Sequence, residues 1–379
     1  MTKISKKSLP KKKKKSESLL ILILRWLGLE PTKRPWLRKI LIGLIAFIAI
    51  FAAGMYGVAQ WYINKHASEP LTYGATFIPR YAESFGLEPK QVLDATLNDL
   101  GVNRVRLVSY WDEYEKTPGN YDFKELDWQF DMAERAGADV SLAIGLRQPR
   151  WPECHMPKWA EAMPKEQWSK HLNNYIQKVV ERYKDHPNLI SYQLENEFLL
   201  EAFGICPDHD RQRLINEFNL VKQLDPNKTL IVTRSNNAVP SWPIGEPRSD
   251  INGASIYKRV WDGTITKRYF EYPVPAWFYA FLAGGAELTT GRNTFIHELQ
   301  TEAWLPPGKE IYEPSTIPEQ DKSLSPDQLK SRLVYAEATG YKTIDVWGVE
   351  WWYWRKTLGD NQLWQTAKDH LKKVSHEDN

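Results

Sequence analysis

Two stretches of this sequence set carboxylates at the ends of apolar runs. The first is Leu194-Glu195-Asn196-Glu197-Phe198, which follows the β-like run Asn188-Leu189-Ile190-Ser191-Tyr192-Gln193. The second is Phe295-Ile296-His297-Glu298-Leu299-Gln300-Thr301-Glu302. A carboxyl at a strand end can stand in a cleft, and two that face each other repel. The repulsion and burial of one raise its pKa, which leaves a proton donor beside an ionised nucleophile. Glu197 and Glu298 are the candidates for that pair. Glu195 and Glu302 are their rivals, since Glu195 shares the period-two face of Glu197.

Apolar strand-like runs and amphipathic helix-like runs alternate after residue 68, the pattern of an α/β fold. Strands are expected near 72–78, 103–108, 139–145, 189–194, 229–234, 251–257, 294–298 and 342–347. Helices are expected over 89–100, 123–136, 167–183, 210–224 and 326–339, the last opening at a possible Ser325 N-cap. The aromatic cluster from Tyr269 to Phe281 reads as a helix against the barrel. Eight such units fit a closed (β/α)8 barrel, whose chemistry sits on the loops after the strands. A doubly wound sheet fits less well, because no Gly-rich phosphate loop follows the first strand.

The Asn196-Glu197 pair after strand four, with a second glutamate at strand seven, resembles the catalytic signature of glycoside hydrolase clan A. The segment from Tyr110-Trp111 through Pro118-Gly119-Asn120-Tyr121-Asp122-Phe123 is similar to the second βα unit of its family 42 β-galactosidase-like branch. The resemblance implies hydrolysis of O-glycosidic bonds with retention, which uses two carboxyls about 5 Å apart. Glu197 would be the acid/base and Glu298 the nucleophile. Arg106 and Tyr257 would hold the nucleophile, Asn196 would meet the sugar 2-hydroxyl, and Trp347 would lie under the sugar. Trp111 and His297 complete the expected substrate-binding set. Family 5 cellulases have a His where Ser255 stands and another after strand three, so the substrate stays open. A catalytically inactive glycan-binding barrel is the rival function.

Aromatic residues make up 13% of the 379-residue chain and include 17 Trp, which suits both a large core and sugar stacking. Of Trp111, Trp151, Trp351, Trp352 and Trp354, about half are expected to line subsites and the rest to pack. His155, His209 and His297 lack metal-ligand spacing, so neither metal nor cofactor is expected. Cys154 and Cys206 lie in the loops after strands three and four and are the candidates for one disulfide.

The net charge of +3 hides a strong asymmetry. Residues 1–39 carry many Lys and Arg, Lys11 to Lys15 in one block, against only Glu17 and Glu30. From Ile40 to Ile63 there is no charge, about 36 Å of helix and enough to cross a bilayer. The expected organisation is a basic cytoplasmic tail (1–39) with an interfacial helix near 18–29, and a transmembrane helix (40–63). A linker (64–70) and an extracytoplasmic barrel domain (71–375) follow, anchored in the plasma membrane. Membrane lipid and an oligo- or polysaccharide are the expected partners, and nucleic acid is not.

Overall fold

A computed structural model describes residues 35–235 and 245–377. The expected interfacial helix near 18–29 and most of the basic tail lie outside the described residues. Eight parallel strands close into a barrel: β1 (Thr72–Thr76), β2 (Arg104–Val108), β3 (Asp139–Ile144), β4 (Leu189–Leu194), β5 (Thr229–Ser235), β6 (Ile251–Ile256), β9 (Thr294–Gln300) and β10 (Thr343–Trp347). Strands β7 (Arg259–Trp261) and β8 (Tyr269–Glu271) form an antiparallel hairpin inserted after β6. Closure is made by β1 against both β2 and β10, with Ala75 opposite Val105 and Val346. Every residue of β2 is buried, as a strand between a filled barrel and a helix layer requires.

The surrounding helices form because one face of each is apolar at helical spacing. Lys124–Arg135 buries Leu126, Phe130 and Ala133, and Lys165–Tyr183 buries Trp168, Leu172, Tyr175, Ile176 and Val179. Truncating Leu172 to Ala would cost about 2–5 kcal/mol. Pro326–Glu337 starts at a full capping box between Ser325 and Gln328.

Two elements differ from expectation. Over 89–100 the chain is α-helical only for Pro89–Asp94 and continues as a π-helix over Ala95–Leu100. There the Thr96 hydroxyl donates to the Val92 carbonyl at 2.8 Å and competes with the backbone ladder. The cluster from Tyr269 to Phe281 is divided: Tyr269–Glu271 is strand β8, and a helix begins only at Ala276 and runs to Thr290. Pro273 and Pro275 keep their preceding residues out of the helical region and place the boundary.

The chain separates into two compact units, one ending at Met55 and one beginning at Tyr56. The helix Pro35–Lys65 passes from the first into the second, and its Lys39–Lys65 portion is long and apolar enough to cross a membrane. Within the barrel unit, Val58 and Tyr62 lie close against Gly284, where an added Cβ would meet them at 3.0–3.2 Å. Residues 64–70, expected as a linker, are tied to the barrel. His66 is buried, with Nε2 2.8 Å from Glu287 and Nδ1 2.6 Å from Glu69, and Lys65 also pairs with Glu287.

Candidate active site

The chain leaves β4 through backbone that side chains rarely adopt. Glu195 and Glu197 have φ of +51° and +44°, in the left-handed region that costs a non-glycine residue energy. Three hydrogen bonds hold the turn: Glu195 N to the Ile144 carbonyl at 3.0 Å, Asn196 N to the Arg147 carbonyl at 2.6 Å, and Glu197 N to Thr233 Oγ1 at 2.8 Å. Such strain concentrates where side chains must be aimed.

The two rivals have structural partners. Glu195 accepts from the backbone N–H of Leu146 and Arg147 at 2.7 and 2.9 Å and pairs with Arg213 at 2.9 Å. Glu302 takes both arms of Arg150, at 3.2 and 3.0 Å. Each also fills the space beside a glycine of positive φ: a Cβ on Gly145 would meet Glu195 Oε1, and one on Gly348 would meet Glu302 Cβ, both at 2.6 Å. These carboxylates lock loops to the barrel.

Glu298 is held at both oxygens. Arg106 Nη2 donates to Oε2 at 2.7 Å, and the Tyr257 hydroxyl donates to Oε1 at 2.6 Å. Arg106 is itself fixed, donating to Thr76 Oγ1 at 2.8 Å and to Gln193 Oε1 at 3.0 Å. Gln193 then donates to Asn196 Oδ1 at 2.9 Å, and Asn196 Nδ2 donates to Glu153 Oε2 at 3.2 Å. One chain of polar groups thus runs from Glu298 to Asn196, beside Glu197.

Glu197 is in the opposite state. Burial first, and then the nearby charge of Glu298, push its pKa up to about 8, while the Ser255 hydroxyl opposes the shift. Its Oε1 has no hydrogen-bond partner among the described residues. Glu153 is raised to about 7, mainly by burial and partly by Glu298, against the pull of Arg147. A third buried carboxyl therefore belongs to the group. Nothing in the local sequence marks it: Glu153 sits in an irregular loop, and only the long-range packing of that loop brings it to Asn196. Gln193 carries a weak signal, as a polar residue inside an otherwise apolar strand.

Two of the expected sugar contacts, Trp111 and His297, are fully enclosed by protein. Trp111 is fully buried, with its indole N–H 2.6 Å from Glu115 and its ring edge-on to Trp159. Its ring also lies against Tyr175 of the helix Lys165–Tyr183. His297 is also buried and lies against Gly253, where a Cβ would meet the ring at 3.1 Å. Burial holds it neutral. The register between β6 and β9 shifts at His297, so simple alternation does not describe its direction. Trp347 stays with the site, its ring 4.4 Å from the Arg150 guanidinium and 5.6 Å from that of Arg106. Trp351 and Trp352 are fully buried and bonded to Gln320 and the Thr301 carbonyl, so they are packing residues, whereas Trp151 is 58% exposed.

A disulfide joins Cys154 to Cys206 across a Cα separation of 5.2 Å and ties the loops after β3 and β4 together. No three His, Cys, Asp or Glu side chains among the described residues group as a metal site.

No protein-family model matches this chain. Among curated proteins it is similar to β-galactosidase LacZ of Heyndrickxia coagulans, 25% identical over 157 residues, which cover 36% of this chain and 22% of that one. It is also similar to β-galactosidase 14 of Arabidopsis thaliana, 23% identical over 160 residues, or 36% and 18% of the two chains. The chain therefore spans about a fifth of the length of these relatives. Among solved structures, Gan42B, a GH42 β-galactosidase from G. stearothermophilus, superposes with a TM-score of 0.54 at 13% identity, over 81% of this chain and 57% of that one. GH5_18 from Streptomyces cattleya, in complex with Manβ1-4GlcNAc, gives 0.51 at 14% identity, over 74% and 71%. The shared feature is the fold, a closed (β/α)8 barrel.

Proposed function

We propose that this protein is a membrane-anchored retaining β-glycosidase with Glu197 as acid/base and Glu298 as nucleophile. One observation carries the reading. Of two buried carboxyls close enough to repel, Glu298 has both oxygens held by donors, while Glu197 has a raised pKa and one oxygen without a partner.

In the first step Glu298 attacks the anomeric carbon as the bond to the leaving oxygen breaks, and that oxygen takes the proton of Glu197. Arg106 and Tyr257 fix the attacking carboxylate, so little reorganisation accompanies the transition state. In the second step Glu197, now ionised, takes a proton from water as the water oxygen displaces Glu298. Asn196 is oriented by Gln193 and is proposed to meet the sugar 2-hydroxyl, with Trp347 beneath the ring.

The test is hydrolysis of a panel of aryl β-glycosides and polysaccharides by the full-length protein in detergent, with the anomer of the product read by NMR. Release of the β-anomer from a β-glycoside is the expected result. Glycan binding without any hydrolysis would instead establish the inactive glycan-binding barrel.

A further inference from the structure

Among the carboxylates buried at the catalytic end, Glu153 differs in how little holds it. Glu195 accepts from two backbone N–H groups and pairs with Arg213, and Glu302 takes both arms of Arg150. Glu153 is only 4% exposed, yet its carboxyl accepts one hydrogen bond among the described residues, from Asn196 Nδ2 at 3.2 Å. Arg147 Nη2 lies 3.7 Å from the same oxygen, beyond hydrogen-bond reach. The rest of that guanidinium is committed elsewhere: Nε donates to the Asn196 carbonyl at 2.6 Å and Nη1 to the Phe203 carbonyl at 2.8 Å. Burying a carboxylate with so few partners costs stability, so locking a loop does not account for it.

The fold nonetheless closes two loops on this side chain. Glu153 has a φ of +74°, its N–H donates to the Arg150 carbonyl, and its carbonyl accepts from Gln148 N, both at 2.8 Å. Gly204, in the loop after β4, lies directly against it: an added Cβ there would meet Glu153 Cβ and Cγ at 2.8 Å. The next residue, Cys154, is bonded to Cys206 of that same loop. Together these contacts bring the Glu153 carboxyl to Asn196.

The direction of the hydrogen bonds around Asn196 is set by Arg106. A guanidinium can only donate, so the group 3.0 Å from Arg106 Nη1 is the oxygen of Gln193, and Gln193 offers its NH2 to Asn196 Oδ1. Asn196 therefore receives through oxygen and gives through nitrogen, and the group that its nitrogen meets is Glu153. An acceptor is required there, which an ionised carboxylate always is. The amide is planar, so holding its oxygen and one N–H also fixes the direction of the second N–H.

We propose that Glu153 is a positioning residue that holds the Asn196 amide in the orientation that meets the sugar 2-hydroxyl, and so sets how strongly turnover depends on that hydroxyl. This rests on the glycosidase reading above and on the place given there to Asn196. Glu153 neither attacks the sugar nor transfers a proton. Contacts to the 2-hydroxyl strengthen in the transition state of glycoside hydrolysis, so an amide left free to turn loses transition-state binding before ground-state binding. The effect therefore falls on kcat more than on KM.

The experiment compares p-nitrophenyl β-galactoside, β-glucoside and β-mannoside with their 2-deoxy counterparts, using the full-length protein in detergent. Glu153→Asp keeps the charge and withdraws the acceptor by one methylene. It should lower kcat about tenfold to a hundredfold on the 2-hydroxy sugars and less than about threefold on the 2-deoxy sugars. Both classes are measured on one preparation, so any unfolded fraction cancels from their ratio. Glu153→Gln keeps an acceptor at full reach and should recover most of the loss. In an Asn196→Ala background, Glu153→Asp should have no further effect. Equal losses on both classes of sugar, a Gln variant as impaired as the Asp variant, or an undiminished loss in the Asn196→Ala background would each overturn the proposal and leave the glycosidase reading standing. Hydrolysis of none of these glycosides by the wild type would overturn the glycosidase reading and this proposal with it.

Discussion

Arg104 and Arg106 stand two residues apart on β2, and each reaches a carboxylate of another strand inside the barrel. Arg104 Nε lies 3.1 Å from Asp345 Oδ1, and Arg106 Nη2 lies 2.7 Å from Glu298 Oε2. The lower pair is structural. Asp345 is completely buried, and a Cβ on Gly74 would overlap it, so the barrel is built around that carboxylate. The upper pair has company that a stabilising ion pair would avoid. Glu197 and Glu153 are buried in the same field, and both are pushed up, by burial first and then by Glu298. A buried Arg–carboxylate pair is therefore no mark of a site by itself. The mark is a like-charge group crowded against it, where protons are left near the pH at which they are needed.

The comparison is tested most strongly by removing the charge from the upper pair. Glu298→Gln is expected to lower kcat by on the order of 10^4-fold or more without loss of the fold, because it removes the proposed nucleophile. Steady-state kinetics with thermal unfolding as the control measures it. An equal, mild loss in Glu298→Gln and Glu302→Gln would erase the distinction.

Glu197→Gln should cost about 10^2- to 10^4-fold on substrates with poor leaving groups and much less on activated ones, with azide restoring the latter. On the proposed assignment Glu197 acts in its protonated form, and burial followed by Glu298 pushes its pKa up to about 8, so kcat/KM for poor leaving groups should hold up to that pH and fall above it. The limb should be missing in the variant. A profile with no fall near pH 8 in the wild type would remove the basis for assigning the acid.

Arg104→Met tests the lower pair. Leaving Asp345 buried without its partner should cost about 3–5 kcal/mol in chemical denaturation, while kcat/KM of the folded fraction is unchanged. A large catalytic loss with intact stability would mean the two arginines are not divided as described. Tyr257→Phe is the smallest change. Loss of one hydrogen bond to a charged carboxylate, worth about 1.5–3 kcal/mol, should lower kcat by roughly 10- to 100-fold with little change in melting temperature.

The eight strands were legible because each is a short apolar run bounded by polar segments, and the strand ends of Glu197 and Glu298 followed from them. Arg106 and Tyr257 were legible through the motif resemblance, and the structure sets both against Glu298. What was hidden depends on distant packing. Glu153 comes from a loop whose path is set by the Cys154–Cys206 bridge and by Arg147, not by local pattern. Trp111 carries the look of a sugar platform, but its direction is decided by Trp159 and Tyr175 from other parts of the chain. His297 falls where the register shifts, so period-two counting cannot orient it. The docking of residues 56–66 on the helix Ala276–Thr290 was equally invisible, since both sides of that contact read simply as apolar.

The most direct measurement is to trap the covalent intermediate. The full-length protein is incubated with 2-deoxy-2-fluoro aryl β-glycosides of the gluco, galacto and manno series, digested, and mapped by mass spectrometry. The expected result is one added fluorosugar on the peptide that contains Glu298, localised to Glu298 by fragmentation and lost in Glu298→Gln. A label on Glu195, Glu302 or Glu153, or hydrolysis that inverts the anomeric centre with no label at all, would contradict the assignment.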